Sequence, residues 1–367
     1  MTTTFDSVKE ESLPSEFYSS EEIFQNELER IFYSNWIMVC HQSELQNFGD
    51  SRVVNVGSKS AIVVNSGSGK FRAFYNVCRH RGSSILEGRT TLKVFQCPYH
   101  GWTYNLDGRL VGAPLMERTL DFQKEDYSLF DVRLETWGGF IWINLSNERP
   151  ASLQTFLGDF GTKFDRYSTE SLRWVGSVGV YDAHANWKAV VENANECYHC
   201  PLIHPETIGP YYLQHLPFDS SEIDGPYTIL YWDNASEAAP ESYRSKDDGG
   251  DFFKHLTTDD LRRMYIAQVF PNAQFFFSPD RLYTFQVWPL DSRKSLITCD
   301  MYFQAFNHSD PTESMTWVDF INRQDLKLLE LHQKGLDSKV FRGGRFSYLE
   351  KPVQEFQKLY KKFYGLS

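Results

Sequence analysis

No stretch of the sequence approaches the roughly eighteen consecutive apolar residues that cross a bilayer, which excludes a transmembrane chain. Long runs of Lys or Arg are missing too, and the formal charge is -11. Nucleic acid and anionic membrane surfaces both require basic faces, so no nucleic acid and no membrane partner is expected. The opening residues, MTTTFDSVKEESLPSEFYSS, lack the basic-then-apolar order of a secretion signal and the character of a transit peptide, so a cytoplasmic location is expected. Internal repeats and low-complexity blocks are absent, as are the Rossmann GxGxxG and any flavin-binding motif. Cysteine is scarce: Cys40, Cys78, Cys97, Cys197, Cys200 and Cys299 are all there are. In a chain of this size with no secretion signal they read as reduced thiols, some bound to metal, rather than as three disulfides.

What is present is an ordinary globular composition, 41% hydrophobic and 23% charged. A length of 367 residues suggests two domains at about 150 residues each. The aromatic share, 16%, suits either well-filled cores or a cavity for an apolar or cationic molecule.

The first segment reads as an amphipathic helix capped by Ser19, with Glu22 completing a capping box and Ile23, Phe24, Leu28, Ile31 and Phe32 forming the apolar stripe. From Trp36 to about Asn147, short runs such as RVVNVG, SAIVVNS, FRAFYNV and GFIWINL alternate with turn residues, as in a compact antiparallel β domain. After Pro150, a helical pattern from Asn186 to Cys200 precedes the strand-like AQFFFSPD, LYTFQVWPL and SLITCDMYFQAF, and a helix from about Glu313 to Leu336 closes the region. Strands and helices that do not alternate regularly point to an α+β class. Between Asn234 and Asp251 the polar SEAAPESYRSKDDGG reads as a surface loop.

Two clusters carry chemistry. Cys78 and His80 stand in one arm, C-x-H, and Cys97 and His100 in a second, C-x-x-H. Four such ligands could hold a structural zinc. Each arm, however, carries one thiolate and one imidazole, which suits a two-iron cluster with Cys78 and Cys97 on one iron and His80 and His100 on the other. In the second cluster, NWKAVVENANECYHCPLIHPE, His199 and His204 are five residues apart, a spacing a single regular helix does not bring to one face. A break at Pro201 would swing His204 back toward His199. Two histidines and one carboxylate make the facial triad of non-haem iron oxygenases; zinc held by Cys197, Cys200 and His204 is the other reading of the same stretch, and satisfied buried histidines a third. A thioredoxin-like use of Cys197 and Cys200 lacks the surrounding βαβ pattern.

The first cluster resembles the Rieske domain, and the match runs past the ligands: YNVCRHRGSS on one arm, QCPYHGWTYNLDGRL on the other. The extra cysteine pair of respiratory-chain Rieske proteins is missing, which favours the oxygenase or ferredoxin branch. NWK, EN, ECYHC and HP, in that order, resemble the catalytic segment of ring-hydroxylating and related Rieske oxygenases, and the similarity covers essentially the whole chain. It implies an N-terminal helical segment over 1-35 packing on the catalytic part, a Rieske domain over 36-150, and a catalytic mononuclear iron domain over 151-367.

The same resemblance implies the site. Asp325, within NRQDLKLLE, would be the third ligand beside His199 and His204 of a mononuclear Fe(II), with a [2Fe-2S] cluster on Cys78, His80, Cys97 and His100. Glu196 matches the acidic residue that bridges the two metal centres in the family, through His199 of its own subunit and a cluster-bound His of the next. A homotrimer follows, with electrons from a separate NAD(P)H-dependent flavin and iron–sulfur reductase. Glu at 196, the ECYHC string and the short chain resemble the branch that hydroxylates a carbon beside the nitrogen of quaternary ammonium compounds such as betaines. Residues Phe275 to Phe277 are expected as pocket walls. An aromatic ring-hydroxylating mono- or dioxygenase would share every ligand, whereas a non-catalytic Rieske electron-transfer protein would need the first cluster alone.

Overall fold

The computed structural model describes residues 11–209, 216–217, 223–233 and 252–366. The loop expected between 234 and 251 lies outside the described residues. The chain forms two compact units, Tyr33–Pro150 and a second made of Met1–Phe32 with Ala151–Ser367.

In the unit Tyr33–Pro150, β-branched and aromatic runs separated by Gly, Asn and Asp build ten short strands. Strands β1 (Trp36–His41), β10 (Phe140–Asn144) and β9 (Arg133–Trp137) form one antiparallel sheet, and every residue of β1 and β10 is buried. Strands β4 (Phe71–Tyr75), β3 (Lys59–Asn65), β2 (Asp50–Val56) and β5 (Arg89–Thr91) form a second. A small third sheet, β6 (Phe95–Gln96), β7 (Thr103–Tyr104) and β8 (Leu110–Gly112), carries one of the two cysteine arms on its β6–β7 hairpin. Phe74, Phe95, Trp102, Tyr104 and Leu110 fill the core beneath both arms.

The other unit is built on a seven-stranded antiparallel sheet in the order β11 (Leu172–Ala183), β17 (Lys294–Gln304), β16 (Arg281–Asp291), β15 (Ala273–Phe277), β14 (Arg263–Val269), β13 (Tyr227–Asp233) and β12 (Leu216–Pro217). Helices are α1 (Glu21–Glu27), the short α2 (Leu153–Leu157) and α3 (Phe160–Phe164), α4 (Trp187–Ala194), α5 (Cys200–Ile203), α6 (Thr312–Asp337) and α7 (Lys351–Tyr364). This mixture of antiparallel sheet and flanking helices is the α+β class expected. Successive strand residues face opposite ways, and β15 shows the consequence. Phe275 and Phe277 pack on the aromatic layer of α3, with Phe164 stacked 4.1 Å from Phe277. Phe276 points to the other side, where the pocket lies. The expectation of three consecutive wall residues is therefore corrected to the middle one, because the pleat turns its neighbours away.

The sequence NWK turns out to be a set of anchors. Asn186 caps α4 by accepting from the Lys188 amide, and donates to the carbonyl of Ser292 at 2.9 Å. Its own amide donates to Gln333 Oε1 of α6 at 2.9 Å, tying α4 to that helix. Lys188 pairs with Glu27 of α1 at 2.6 Å, both side chains fully buried. Glu27 also accepts from the Trp187 indole and the Tyr360 hydroxyl, each at 2.8 Å. Both oxygens of the buried Glu27 carboxylate thereby keep polar partners, which burying charge requires.

Two local expectations are corrected. Helix α1 is capped by Ser20, whose hydroxyl accepts from the Ile23 amide, while Ser19 donates to the Ser15 carbonyl instead. The helical pattern from Asn186 to Cys200 breaks earlier than Pro201. Helix α4 stops at Ala194, and Pro201 lies in the first turn of α5, where its missing N–H costs nothing.

Candidate metal centres

The two cysteine arms are built alike. The amide of Cys78 donates to the Ser83 carbonyl at 2.8 Å, and that of Cys97 to the Trp102 carbonyl at 2.8 Å. In each loop the glycine four residues after the cysteine, Gly82 or Gly101, donates back to that cysteine's carbonyl at 3.0 and 3.1 Å. Both glycines have positive φ, +75° and +71°, which side-chain-bearing residues adopt only at a cost. The outcome is two matched finger loops, one per arm.

The loops sort their donors by depth. Cys78 and Cys97 are free thiols sunk in the core, while His80 is half-buried and His100 exposed. The Cys78 sulfur lies 3.3 Å from the Tyr104 hydroxyl, and burial pushes that thiol's pKa up. The rings of His80 and His100 are 4.7 Å apart, with His80 stacked on Trp102 at 4.8 Å. His80 Nδ1 is buried with no hydrogen-bond partner among the described residues. A bound metal is the partner that would satisfy it. Sulfurs inside and imidazoles outside give two donor sets, one per iron, rather than four donors around a single zinc.

The second centre gathers residues far apart in the chain. Past the end of α4, Asn195 and Glu196 redirect the backbone so that His199 and His204 flank the short α5 and converge, with ring centroids 5.5 Å apart. Asp325 reaches them from α6: its Oδ1 lies 3.1 Å from His204 Nε2 and 3.4 Å from His199 Nε2. Three ligands at right angles on a metal about 2.1 Å away would be about 3.0 Å from one another, so these spacings fit an iron-sized ion bound by all three.

The surrounding side chains fix the orientation of each ring. Glu196 Oε1 is 2.5 Å from His199 Nδ1, and Gln324 Oε1 is 2.8 Å from His204 Nδ1. A proton held at each Nδ1 leaves the Nε2 lone pair facing inward, the arrangement that outer hydrogen bonds impose on metal-binding histidines. Burial lowers the basicity of His199, the carboxylates of Asp325 and Glu196 raise it by more, and a metal on Nε2 would take the place of the proton they favour. Asp325, although buried, is held below its usual range by the two histidines. Gln324 was not picked out from the sequence; its only signal there is adjacency to Asp325.

The cysteines of ECYHC do not serve as ligands here. Cys197 and Cys200 are joined as a disulfide, their Cα atoms 4.9 Å apart, which corrects the expectation of thiols throughout. Paired in this way Cys200 offers no free thiolate, although its Sγ lies 3.9 Å from His199 Nε2 and within 4.8 Å of the donor atoms of both His199 and His204. Sequence spacing could show only that the pair was near, not that it was bonded.

Above the three converging groups opens a small cavity of about 110 Å³. Trp232, Phe276, Tyr283 and Phe285 from the sheet make its aromatic walls, and Val318, Ile321, Asn322 and Asp325 line it from one face of α6 at helical spacing. No Lys or Arg lines it among the described residues.

A family model described as the Rieske [2Fe-2S] domain matches residues 35–132, and one described as the ring hydroxylating alpha subunit (catalytic domain) matches residues 172–365. The glycine betaine monooxygenase oxygenase subunit of Pseudomonas aeruginosa is 27% identical over 371 residues, covering 92% of this chain and 85% of that one. The carnitine monooxygenase oxygenase subunit of Escherichia coli is 31% identical over 346 residues, covering 90% and 86%. Among solved structures, a quaternary ammonium Rieske monooxygenase in complex with its substrate L-carnitine matches with a TM-score of 0.80 at 26% identity, over 96% of each chain.

Proposed function

Since the chain belongs to the ring-hydroxylating alpha-subunit family of Rieske oxygenases, we propose that it hydroxylates a carbon beside the nitrogen of a quaternary ammonium compound such as a betaine. Enzymes of this family are oxidoreductases that incorporate O2 and work with a separate reductase. In this reading Cys78, Cys97, His80 and His100 hold the [2Fe-2S] cluster, and His199, His204 and Asp325 hold a mononuclear Fe(II). The cluster supplies single electrons, and the iron supplies a place to activate O2 beside the substrate.

The observation that carries the substrate class is the cavity itself. Four aromatic walls, with no Lys or Arg lining the cavity among the described residues, favour a positively charged head group through cation–π attraction. The polypeptide binds and orients that group, and its apolar strand residues Met264 and Ile266 keep water from the reacting methyl. One oxygen atom of O2 enters a C–H bond, and the other leaves as water after taking two electrons and two protons. The resulting N–CH2OH group breaks its C–N bond to give formaldehyde, a proton and the tertiary amine.

The reading extends to assembly. A cytoplasmic homotrimer would bring Glu196 to a cluster-bearing loop of the next subunit, with an NAD(P)H-dependent flavin reductase as electron donor.

Anaerobically purified, iron-loaded protein with a surrogate reductase and NADH, offered a panel of betaines and aromatic acids, tests the proposal. Substrate-dependent formaldehyde from a betaine supports it. Hydroxylated or diol products from an aromatic acid, without formaldehyde, would replace it with ring hydroxylation and leave both metal centres as assigned.

A further inference from the structure

Alternation along the sheet puts Gln274 and Phe276 of β15 on the same side as Tyr283 and Phe285 of β16, and all four line the cavity above the iron ligands. Three of the four are aromatic. Gln274 is the exception: it is 2% exposed, and its Nε2 has no hydrogen-bond partner among the described residues. It also lines a smaller recess beside Asp325. A buried carboxamide that leaves its donor unused is costly unless something completes it, and this one faces the space where substrate must sit.

The neighbouring cation is already engaged. Arg281, two residues before Tyr283 on β16, binds the Asp280 carboxylate and donates to the Ser314 hydroxyl. The cavity thus offers rings for a cation and an amide N–H for an acceptor, and among the described residues no guanidinium or ammonium lines it to pair with a free anion.

We propose that Gln274 is a specificity-determining residue whose Nε2–H donates to the carboxylate end of a zwitterionic substrate while the aromatic walls hold its trimethylammonium end. This rests on the quaternary-ammonium reading above. It narrows the substrate class to compounds carrying both ends, and it distinguishes them from cations that end in an alkyl group or an alcohol.

The directly opposed residue on β14, Gln268, supplies the alternative to be excluded. Its Oε1 is buried and also lacks a partner among the described residues, so the two glutamines could serve merely as a cross-strand pair.

The test is calorimetric binding and steady-state turnover on holoenzyme with three zwitterions (glycine betaine, carnitine, γ-butyrobetaine) and two cations (choline, propyltrimethylammonium). Gln274→Met keeps the length of the side chain and removes the donor. Its dissociation constants and KM for the zwitterions should rise about ten- to a hundredfold, the effect of losing a hydrogen bond to a charged group, with those for the cations moving less than about threefold. Gln274→Glu keeps a polar side chain but replaces the donor with an acceptor; it should show the same loss for zwitterions and tighter binding of the cations, and it decides the question where the Met variant does not fold. Equal weakening of both compound sets, the same effect from Gln268→Met, or a wild type that prefers the cations would overturn the role of Gln274 while leaving quaternary-ammonium oxidation standing. A wild type that neither binds nor converts any of the five compounds would overturn both.

Discussion

Gln324 Oε1 lies 2.8 Å from His204 Nδ1, one residue before the carboxylate that meets the other nitrogen of the same ring. Consecutive residues of α6 therefore meet opposite edges of one imidazole, the first as hydrogen-bond acceptor and the second through its carboxylate.

Replacing that acceptor tests the grip. Gln324→Leu should weaken iron binding about ten- to a hundredfold, as loss of outer hydrogen-bond partners does at other metal sites. Iron content after dialysis against a graded chelator reads it, and the visible absorption of the cluster should stay at wild-type intensity.

Asp325→Ala removes the proposed third iron ligand. Turnover should vanish and mononuclear iron should fall to background, with the cluster spectrum retained, because Cys78 and Cys97 lie in a separate compact unit. Loss of the cluster with activity kept would overturn the assignment of both centres.

Lys188→Met should destabilise the protein by about 3–5 kcal/mol in chemical denaturation, because Glu27 is then left as a buried, uncompensated carboxylate. Adding Glu27→Leu should recover much of that loss. A single variant as stable as wild type would mean that Trp187 and Tyr360 alone satisfy Glu27.

Burial pushes the Glu192 carboxyl from its ordinary 4.5 up to about 7, despite the hydrogen bonds it accepts from Gln357 and Tyr18. The folded state thus keeps a proton that the unfolded chain releases between those values. Its stabilising contribution is complete below pH about 4.5, declines as pH rises to about 7, and is then spent. Between those pH values, wild type should lose stability relative to Glu192→Gln, which has no proton to release, as urea melts at each pH will read; a difference independent of pH would contradict it.

Much of this was legible beforehand, for identifiable reasons. The β-rich run from Trp36, the C-x-H and C-x-x-H arms and the long α6 follow from local composition and spacing, which folding does not override. Thr312–Asp337 differs from the expected helix by one residue at each end. What sequence hid was three-dimensional. Nothing in the spacing singles out Asp325; resemblance alone pointed to it, since a carboxylate on a helix surface looks the same whether it meets solvent or two histidines. Gln324 and Gln274 were invisible because an amide carries no ligand signature and acquires a role only from what faces it. Phe275 and Phe277 misled because a run of three aromatics conceals the pleat, which gives just one of them to the cavity. The end of α4 was misplaced because Pro201 looked like a breaker, whereas proline in a first turn is tolerated.

The proposed iron ligands are divided between the segment after α4 and a helix more than a hundred residues later, while the Cys78–His100 arms sit in one uninterrupted stretch, Tyr33–Pro150. On a ribosome this imposes a schedule. The inserted unit has all its ligands as soon as residue 150 clears the exit tunnel, and domains generally fold as they emerge. The other unit encloses it in sequence and cannot present Asp325 to His199 and His204 until synthesis is nearly over. Cluster delivery can begin on a nascent chain, whereas the mononuclear iron must wait for an almost finished one, so stripping only that iron from cluster-loaded protein should leave it coloured and folded but inactive.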